Sequence, residues 1–364
     1  MTESTIGRPR SVVADLPSFR PGKGASQAET EHGIMDAIKL ASNENPRAPL
    51  DPIIGAVNEA ASGVNRYADH RATSVREALA TRLGVTSDHV TVGNGSAGIL
   101  QQLCFGYVDP GDEVVFPWRS FEVYPVFTRL MNGVSVQVPL AADLGFDIDA
   151  LAAAVTDRTK LIFVATPNNP TGVASTTTEL RSLLSQVPDH VVVCIDEAYR
   201  EFLDPGFGDP VADLLPDFDN VMVTRTFSKA HGLAGLRVGY GVGHPDLITT
   251  VDKMLLPFAV NALAQAAAMA ALEHEPAINE RVQAILAERA RVEVELAAAG
   301  WTLPNHQGNF VWLATGERTD AIALDLERRG VVIRPFSGDG IRVTIGSAVE
   351  NDRFLATLAE VAQP

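Results

Sequence analysis

The sequence predicts an α/β fold: a mostly parallel central sheet with helices on both faces, plus a smaller α+β domain. Three observations predict it. From about residue 50 to 260, short apolar runs alternate with segments of helical period. The runs are continuously apolar, as strands covered on both faces must be. The chain of 364 residues is also long for one hydrophobic core, so two domains are expected.

Residues 1–33 are polar, contain Gly and Pro, and read as an arm. The strands expected after it are Val90–Val92, Glu113–Phe116, Val134–Val138, Leu161–Val164, Val191–Ile195, Val221–Thr224 and Val238–Val242. Helical patterns lie between them at Ser74–Leu83, Ala97–Tyr107, Phe121–Leu130, Thr177–Gln186 and Pro245–Lys253. Residues 261–299 are Ala-rich and helical, with Pro276 at the join of two helices. Beyond them, Phe310–Leu313, Val331–Arg334 and Ile341–Ile345 read as strands, and Thr319–Arg329 and Ala348–Val361 as helices. In parallel sheets ligands sit beyond the strand C-termini. The chemically interesting residues fall there.

Composition excludes several classes. The formal net charge of −16 argues against nucleic acid and anionic membranes as partners. No apolar run approaches the ~20 residues needed to span a bilayer, and Met1–Arg20 lacks an apolar leader. Cys104 and Cys194 lie in apolar segments and read as buried thiols, which suits the cytoplasm. The eight histidines show no metal-ligand spacing, so no metal site is expected.

The most telling stretch runs from Thr226 to Tyr240. It sets Lys229 between hydroxyls and a glycine-rich turn, with Arg237 eight residues on. A lysine amine forms Schiff bases with carbonyls, and Thr226, Ser228 and Arg237 suit a phosphate. Asp196 ends an apolar strand, where a buried acid needs a cationic partner; Tyr199 follows three residues later. Asn169 sits in the rigid turn Thr166-Pro167-Asn168-Asn169-Pro170-Thr171-Gly172. Gly93-Asn94-Gly95-Ser96 opens a helix, whose first N–H groups attract anions. Arg334 and Arg342 flank the last pair of strands, where a guanidinium can clamp a carboxylate.

In this order the pieces resemble the fold-type I pyridoxal-phosphate (PLP) aminotransferases. The closer resemblance is to the group of histidinol-phosphate and bacterial aromatic amino-acid aminotransferases. It runs from Leu40 to Gly346 and rests on S-N-E-N-P, R-Y, G-N-G-S, N-N-P-T-G, D-E-A-Y, S-K-x-x-G-L-A-G-L-R-x-G-Y and R-V-T-I-G. The resemblance implies that Lys229 is the Schiff-base lysine and catalytic base. It assigns Asp196 to the pyridine nitrogen, and Tyr199 and Asn169 to the ring oxygen. Ser96, Ala97, Thr226, Ser228 and Arg237 are to hold the cofactor phosphate. Tyr67 is to serve the neighbouring subunit's cofactor in a homodimer with composite sites. Arg342 is to bind the substrate α-carboxylate, with Arg334 near the side chain and Asn43 at the entrance. The implied domains are 1–47 (arm and part of the small domain), 48–260 (large PLP domain) and 261–364 (linking helix and small domain).

Two positions depart from the family pattern. Ala97 and Gly98 stand where many relatives carry acids. The aromatic residue that usually stacks on the cofactor ring aligns with Arg119, so either Arg119 stacks or Trp118 replaces it. Substrate choice turns on Phe19, which stands where histidinol-phosphate enzymes often carry a phosphate-binding tyrosine. A phenyl ring cannot donate that bond. The expected reaction is therefore ping-pong transfer between an aromatic amino acid (Phe, Tyr or Trp) and 2-oxoglutarate. Histidinol phosphate is the alternative substrate, and PLP-dependent decarboxylation on the same fold a more distant one.

Overall fold

The computed structural model describes residues 7, 9–14, 16 and 22–364. Strand β1 (Ile38–Lys39) comes first, and seven further strands build the central sheet. These are β2 (Val90–Gly93), β3 (Glu113–Trp118), β4 (Val134–Pro139), β5 (Thr159–Ala165), β6 (Val192–Asp196), β7 (Val221–Thr226) and β8 (Gly239–Gly243). Their spatial order is β2-β8-β7-β6-β5-β3-β4. Neighbours from β7 to β4 run parallel, whereas β8 is antiparallel to both β7 and β2.

Strands β5, β6 and β7 are buried almost throughout, as continuous apolar runs require. Their side chains alternate between two cores. Ile162, Val164, Val193, Ile195, Val221 and Val223 face one, while Leu161, Phe163, Val192, Cys194 and Met222 face the other. Each such apolar side chain contributes about 1.5–3 kcal/mol by leaving water. Cys104 and Cys194 are free thiols in the second core, and burial pushes Cys104 up to about 12.

The second sheet is antiparallel, in the order β11 (Arg334–Phe336), β12 (Gly340–Thr344), β9 (Phe310–Leu313). The single strand expected at Val331–Arg334 is split. Its first half, β10 (Val331–Val332), pairs in parallel with β1, and the chain then changes partner to join β12. Pro335 falls in the edge strand of its sheet, the position that best tolerates a missing N–H. The arm also holds more structure than its weak periodicity suggests. Ala25–His32 is a helix, but only Ala28 is buried, against Ala41 and Val332, so it leaves no apolar stripe to read. The helices at Ala262–Glu273 and Glu275–Ala298 meet at the expected join.

This topology positions the site. The C-terminal ends of β5, β6 and β7 lie along one edge. Because β8 is antiparallel, Gly239 returns opposite Thr226, and Gly93 lies opposite Gly239 in turn. The Lys229 turn, Arg237 and the start of helix Gly95–Tyr107 therefore converge. The contact admits no side chain at Gly239: a Cβ there would lie 2.4 Å from the Ser96 nitrogen. Gly95 is constrained by its own backbone, at φ +69°, and a Cβ there would also lie 2.6 Å from Arg237 Nη2.

Candidate active site

A cavity of about 330 Å³ opens at this edge, between the central sheet and the β11–β12 pair. Lys229 projects into it from the turn after β7. Its Nζ donates to the Ser42 carbonyl at 3.0 Å and lies 5.9 Å from the Tyr199 ring centroid. Burial, and then the Arg342 charge, lower its pKa to about 7. A neutral amine is thus available near neutral pH, as a Schiff-base nucleophile or proton acceptor must be.

The two acids at the C-terminal end of β6 divide by function. Glu197 turns to Arg225, whose Nε donates to it at 2.8 Å. Asp196 faces the cavity and is 3% exposed. It accepts from the Tyr124 hydroxyl at 3.0 Å and from Thr224 Oγ1 at 3.3 Å. Burial raises its pKa to about 6, with the two hydroxyls pulling the other way. Among the described residues it has no cation against it. Tyr199, also buried, accepts from Asn43 Nδ2 at 2.9 Å. Burial raises its hydroxyl further above the ordinary tyrosine range.

Opposite lies a cup of donors. Thr226 Oγ1 donates to Ser228 Oγ at 3.0 Å, and Arg237 Nη1 to the same oxygen at 3.4 Å. Ser96 and Ala97 line the cavity from the first turn of their helix, whose N–H groups favour an anion. Arg237 itself is left-handed, at φ +59°, as is Asn43 at +51°. Two expected site residues thus hold a backbone region that costs non-glycine residues about 1–3 kcal/mol, which the surrounding structure must impose.

At the far end Arg342 is buried. Its Nη1 donates to Asn169 Oδ1 and its Nη2 to the Ala41 carbonyl at 2.8 Å, while its Nε has no partner among the described residues. Burial holds its pKa down at about 10. Arg334 stands directly across the strand pair from Arg342, and its Nη2 donates to Glu122 Oε2 at 2.6 Å.

The cavity therefore brings together Ser96, Ala97, Asn169, Asp196, Tyr199, Thr226, Ser228, Lys229, Arg237, Arg334 and Arg342. Four expected residues are elsewhere. Asn43 lies behind the wall, bonded to Tyr199. Trp118 and Arg119 are not among the lining residues. Arg119 Nε instead donates to Asp339 at 2.5 Å, and its guanidinium lies 5.0 Å from the Trp118 ring centroid. The aromatic ring that does line the cavity beside them is Phe121. Tyr67 is 83% exposed and stacks on Phe258 at 4.4 Å. Phe19 lies outside the described residues. The sequence reading also omits Tyr124, Glu122 and the Ser42 carbonyl. Only the Tyr in P-W-R-S-F-E-V-Y-P, the second residue of helix Val123–Leu130, offered a signal.

The residues present fit pyridoxal phosphate. Asp196 is a buried acid lacking a cation, the cup supplies donors for a phosphate, and Lys229 is a neutral amine. The buried Nε of Arg342 lacks an acceptor that a substrate carboxylate would provide.

The chain belongs to the class I and II aminotransferase family, which it matches over residues 35–358. It is similar to an aromatic amino acid aminotransferase of Thermobifida fusca (strain YX), 48% identical over 347 residues and covering 95% of each chain. A protein of the same name from Streptomyces coelicolor is 46% identical over 351 residues, 96% of each chain. Among solved structures, the histidinol-phosphate aminotransferase of Sinorhizobium meliloti in complex with pyridoxal-5'-phosphate superposes with a TM-score of 0.90. It is 29% identical, over 98% of both chains.

Proposed function

We propose that this aminotransferase moves the amino group of an aromatic amino acid to 2-oxoglutarate by a ping-pong reaction. Its cofactor is pyridoxal phosphate. Bound there, the cofactor supplies an electron sink for negative charge at the substrate α-carbon. The chain's residues do the rest. Lys229 Nζ takes up the proton released at that carbon and gives it back, which its lowered pKa permits near neutrality. Asp196 presents its carboxylate to the ring nitrogen. Ser228, Thr226, Arg237 and the Ser96–Ala97 turn grip the phosphate. Tyr199 and Asn169 flank the ring oxygen, Phe121 packs on the ring, and Arg342 clamps the α-carboxylate.

The observation that carries the aromatic choice is the Arg334–Glu122 pair in the cavity wall. A phosphate monoester would approach a cation already matched by a carboxylate, whereas an uncharged ring meets a neutral pair. The similarity to aromatic amino acid aminotransferases supports the same choice. Steady-state kcat/KM for phenylalanine should exceed that for histidinol phosphate on one preparation; the reverse order would sink the assignment.

Arg342→Lys should raise KM for the amino acid by roughly 10- to 100-fold, because a lysine cannot reproduce a two-pronged, charge-assisted grip worth about 1.5–3 kcal/mol. A KM within twofold of the parent would remove Arg342 from this role.

We further assign a homodimer with composite sites. The exposed Tyr67–Phe258 stack, with His70 edge-on to Phe258 at 5.5 Å, supports it. Light scattering should give twice the chain mass, and Tyr67→Ala should weaken cofactor retention roughly tenfold, the loss of a hydrogen bond to a charged group. A monomeric, fully active preparation would contradict the assignment.

The domain division at 47/48 and 260/261 is proposed on the same grounds: the two sheets fall on either side of the second boundary. Among the described residues no helix is long and apolar enough to cross a membrane. The two buried free thiols favour a cytoplasmic setting.

A further inference from the structure

The charged groups of the cavity can be assigned one by one. Arg237 belongs with the phosphate cup, Asp196 with the ring nitrogen and Arg342 with the α-carboxylate. Glu44 is paired with Lys39, outside the cavity, at 2.8 Å. What remains is Arg334 and Glu122, and they are bonded to each other at 2.6 Å.

Glu122 is an acid at a helix N-terminus, a position the helix dipole favours. It stands at the N-cap of helix Val123–Leu130, yet its side chain makes no cap hydrogen bond. It reaches instead across 212 residues of sequence to Arg334. Arg334 in turn sits directly opposite Arg342, the α-carboxylate clamp, in the strand register. Its guanidinium lies 5.7 Å from the Phe336 ring centroid, and that of Arg342 lies 5.8 Å from the same ring. The pair is partly open: the Arg334 side chain is 17% exposed and that of Glu122 39%. An ion pair with solvent on one side is weak enough to exchange partners.

A ping-pong transaminase admits two substrates to one site in turn. Here one carries an uncharged ring and the other a distal carboxylate. We propose that Glu122 is the specificity-determining residue for this alternation: it neutralises Arg334 when the aromatic side chain is bound and yields Arg334 to the distal carboxylate of the dicarboxylic partner. This rests on the reading of the site as an aromatic amino acid:2-oxoglutarate aminotransferase. Glu122 thereby lowers affinity for dicarboxylates, and for phosphate esters, below what Arg334 alone would give.

The test uses the holoenzyme and two unreactive ligands, glutarate and 3-phenylpropionate, titrated calorimetrically. Glu122→Gln keeps the shape and removes the charge. It should tighten glutarate roughly fivefold relative to 3-phenylpropionate, the equivalent of a partly exposed ion pair. Glu122→Asp, which retains the charge, should return the ratio toward that of the parent. In turnover, Glu122→Gln should lower KM for 2-oxoglutarate with a much smaller change in kcat. Equal shifts for both ligands, or weaker glutarate binding, would overturn the proposal. If the parent binds glutarate but fails to bind 3-phenylpropionate or to turn over phenylalanine, the aromatic reading fails. The glutarate shift on Glu122→Gln then still decides the role of Glu122.

Discussion

A Lys229→Ala variant should transaminate at no more than about 10⁻⁴ of the parent rate, the upper range for losing a positioned acid–base group. Lys229 is the only lysine lining the cavity, so among the described residues no second amine stands ready to replace it. Among the described residues its Nζ has one polar contact, the Ser42 carbonyl. That bond orients the amine without neutralising it. Burial supplies the rest: a protonated Lys229 would be desolvated beside Arg342 and Arg237, so the neutral form persists down to about pH 7.

Two consequences separate a chemical role from a structural one. Small exogenous amines should restore part of the activity of Lys229→Ala, since they can carry the same proton. Uptake of cofactor by the parent apoprotein should quicken about tenfold per pH unit below 7 and level off above it, following the neutral amine. The stability effect has its own sign. Between pH 7 and 10.5 the unfolded chain keeps a proton on Lys229 that the folded apoprotein has lost. Apoprotein stability therefore gains from this residue as pH rises through that window. A Lys229→Ala variant retaining a tenth of parent activity without added amine would refute the assignment.

Much of the site was legible because its residues are local to strand ends. Asp196, Asn169 and Lys229 each follow an apolar run, and parallel strands deliver such ends to one edge. Chain order then sufficed to group them. Partners brought in from elsewhere in the chain were illegible. Nothing near Arg119 announces Asp339, 220 residues away, as its acceptor, and nothing near Glu122 announces Arg334. Tyr124 was obscured differently. It sits on a strongly amphipathic helix, where a buried ring reads as core, and only its hydroxyl reaches Asp196. The fold shows the same split. The buried strands β5, β6 and β7 declare themselves by composition. The exchange of partners between β10 and β11 is a long-range choice, made by Ile38 and Arg342 rather than by Val331–Phe336.

Asp196→Asn should have opposite effects on stability and on catalysis. In the apoprotein Asp196 is a buried carboxylate stabilised by two hydroxyls and the Ala198 backbone N–H, with no cation among the described residues. Its folded pKa, about 6, stands above the ordinary 3.8, so the folded state holds more protons than the unfolded chain between those values. Stability from this group is full below pH 3.8 and is lost as pH rises through 6. At pH 8 the apoprotein therefore bears an uncompensated buried charge. Asparagine keeps the shape, accepts through its one oxygen from one of the two hydroxyls and donates its amide to the oxygen of the other, so the variant apoprotein should melt roughly 1–3 °C higher. Catalysis should move the other way. With the ring nitrogen in place, the carboxylate gains the cation it lacks, and removing one member of a buried ion pair costs about 3–5 kcal/mol. The kcat/KM for the amino acid should fall roughly 10³-fold. Calorimetry of the apoprotein and kinetics of the loaded enzyme measure the two effects separately. A fall in apoprotein melting temperature would make Asp196 a structural acid, and a kcat/KM within tenfold of the parent would deny it the ring nitrogen. The placement of Asp196 makes sense only if a residue that weakens the empty protein is retained for what it does to a bound cation.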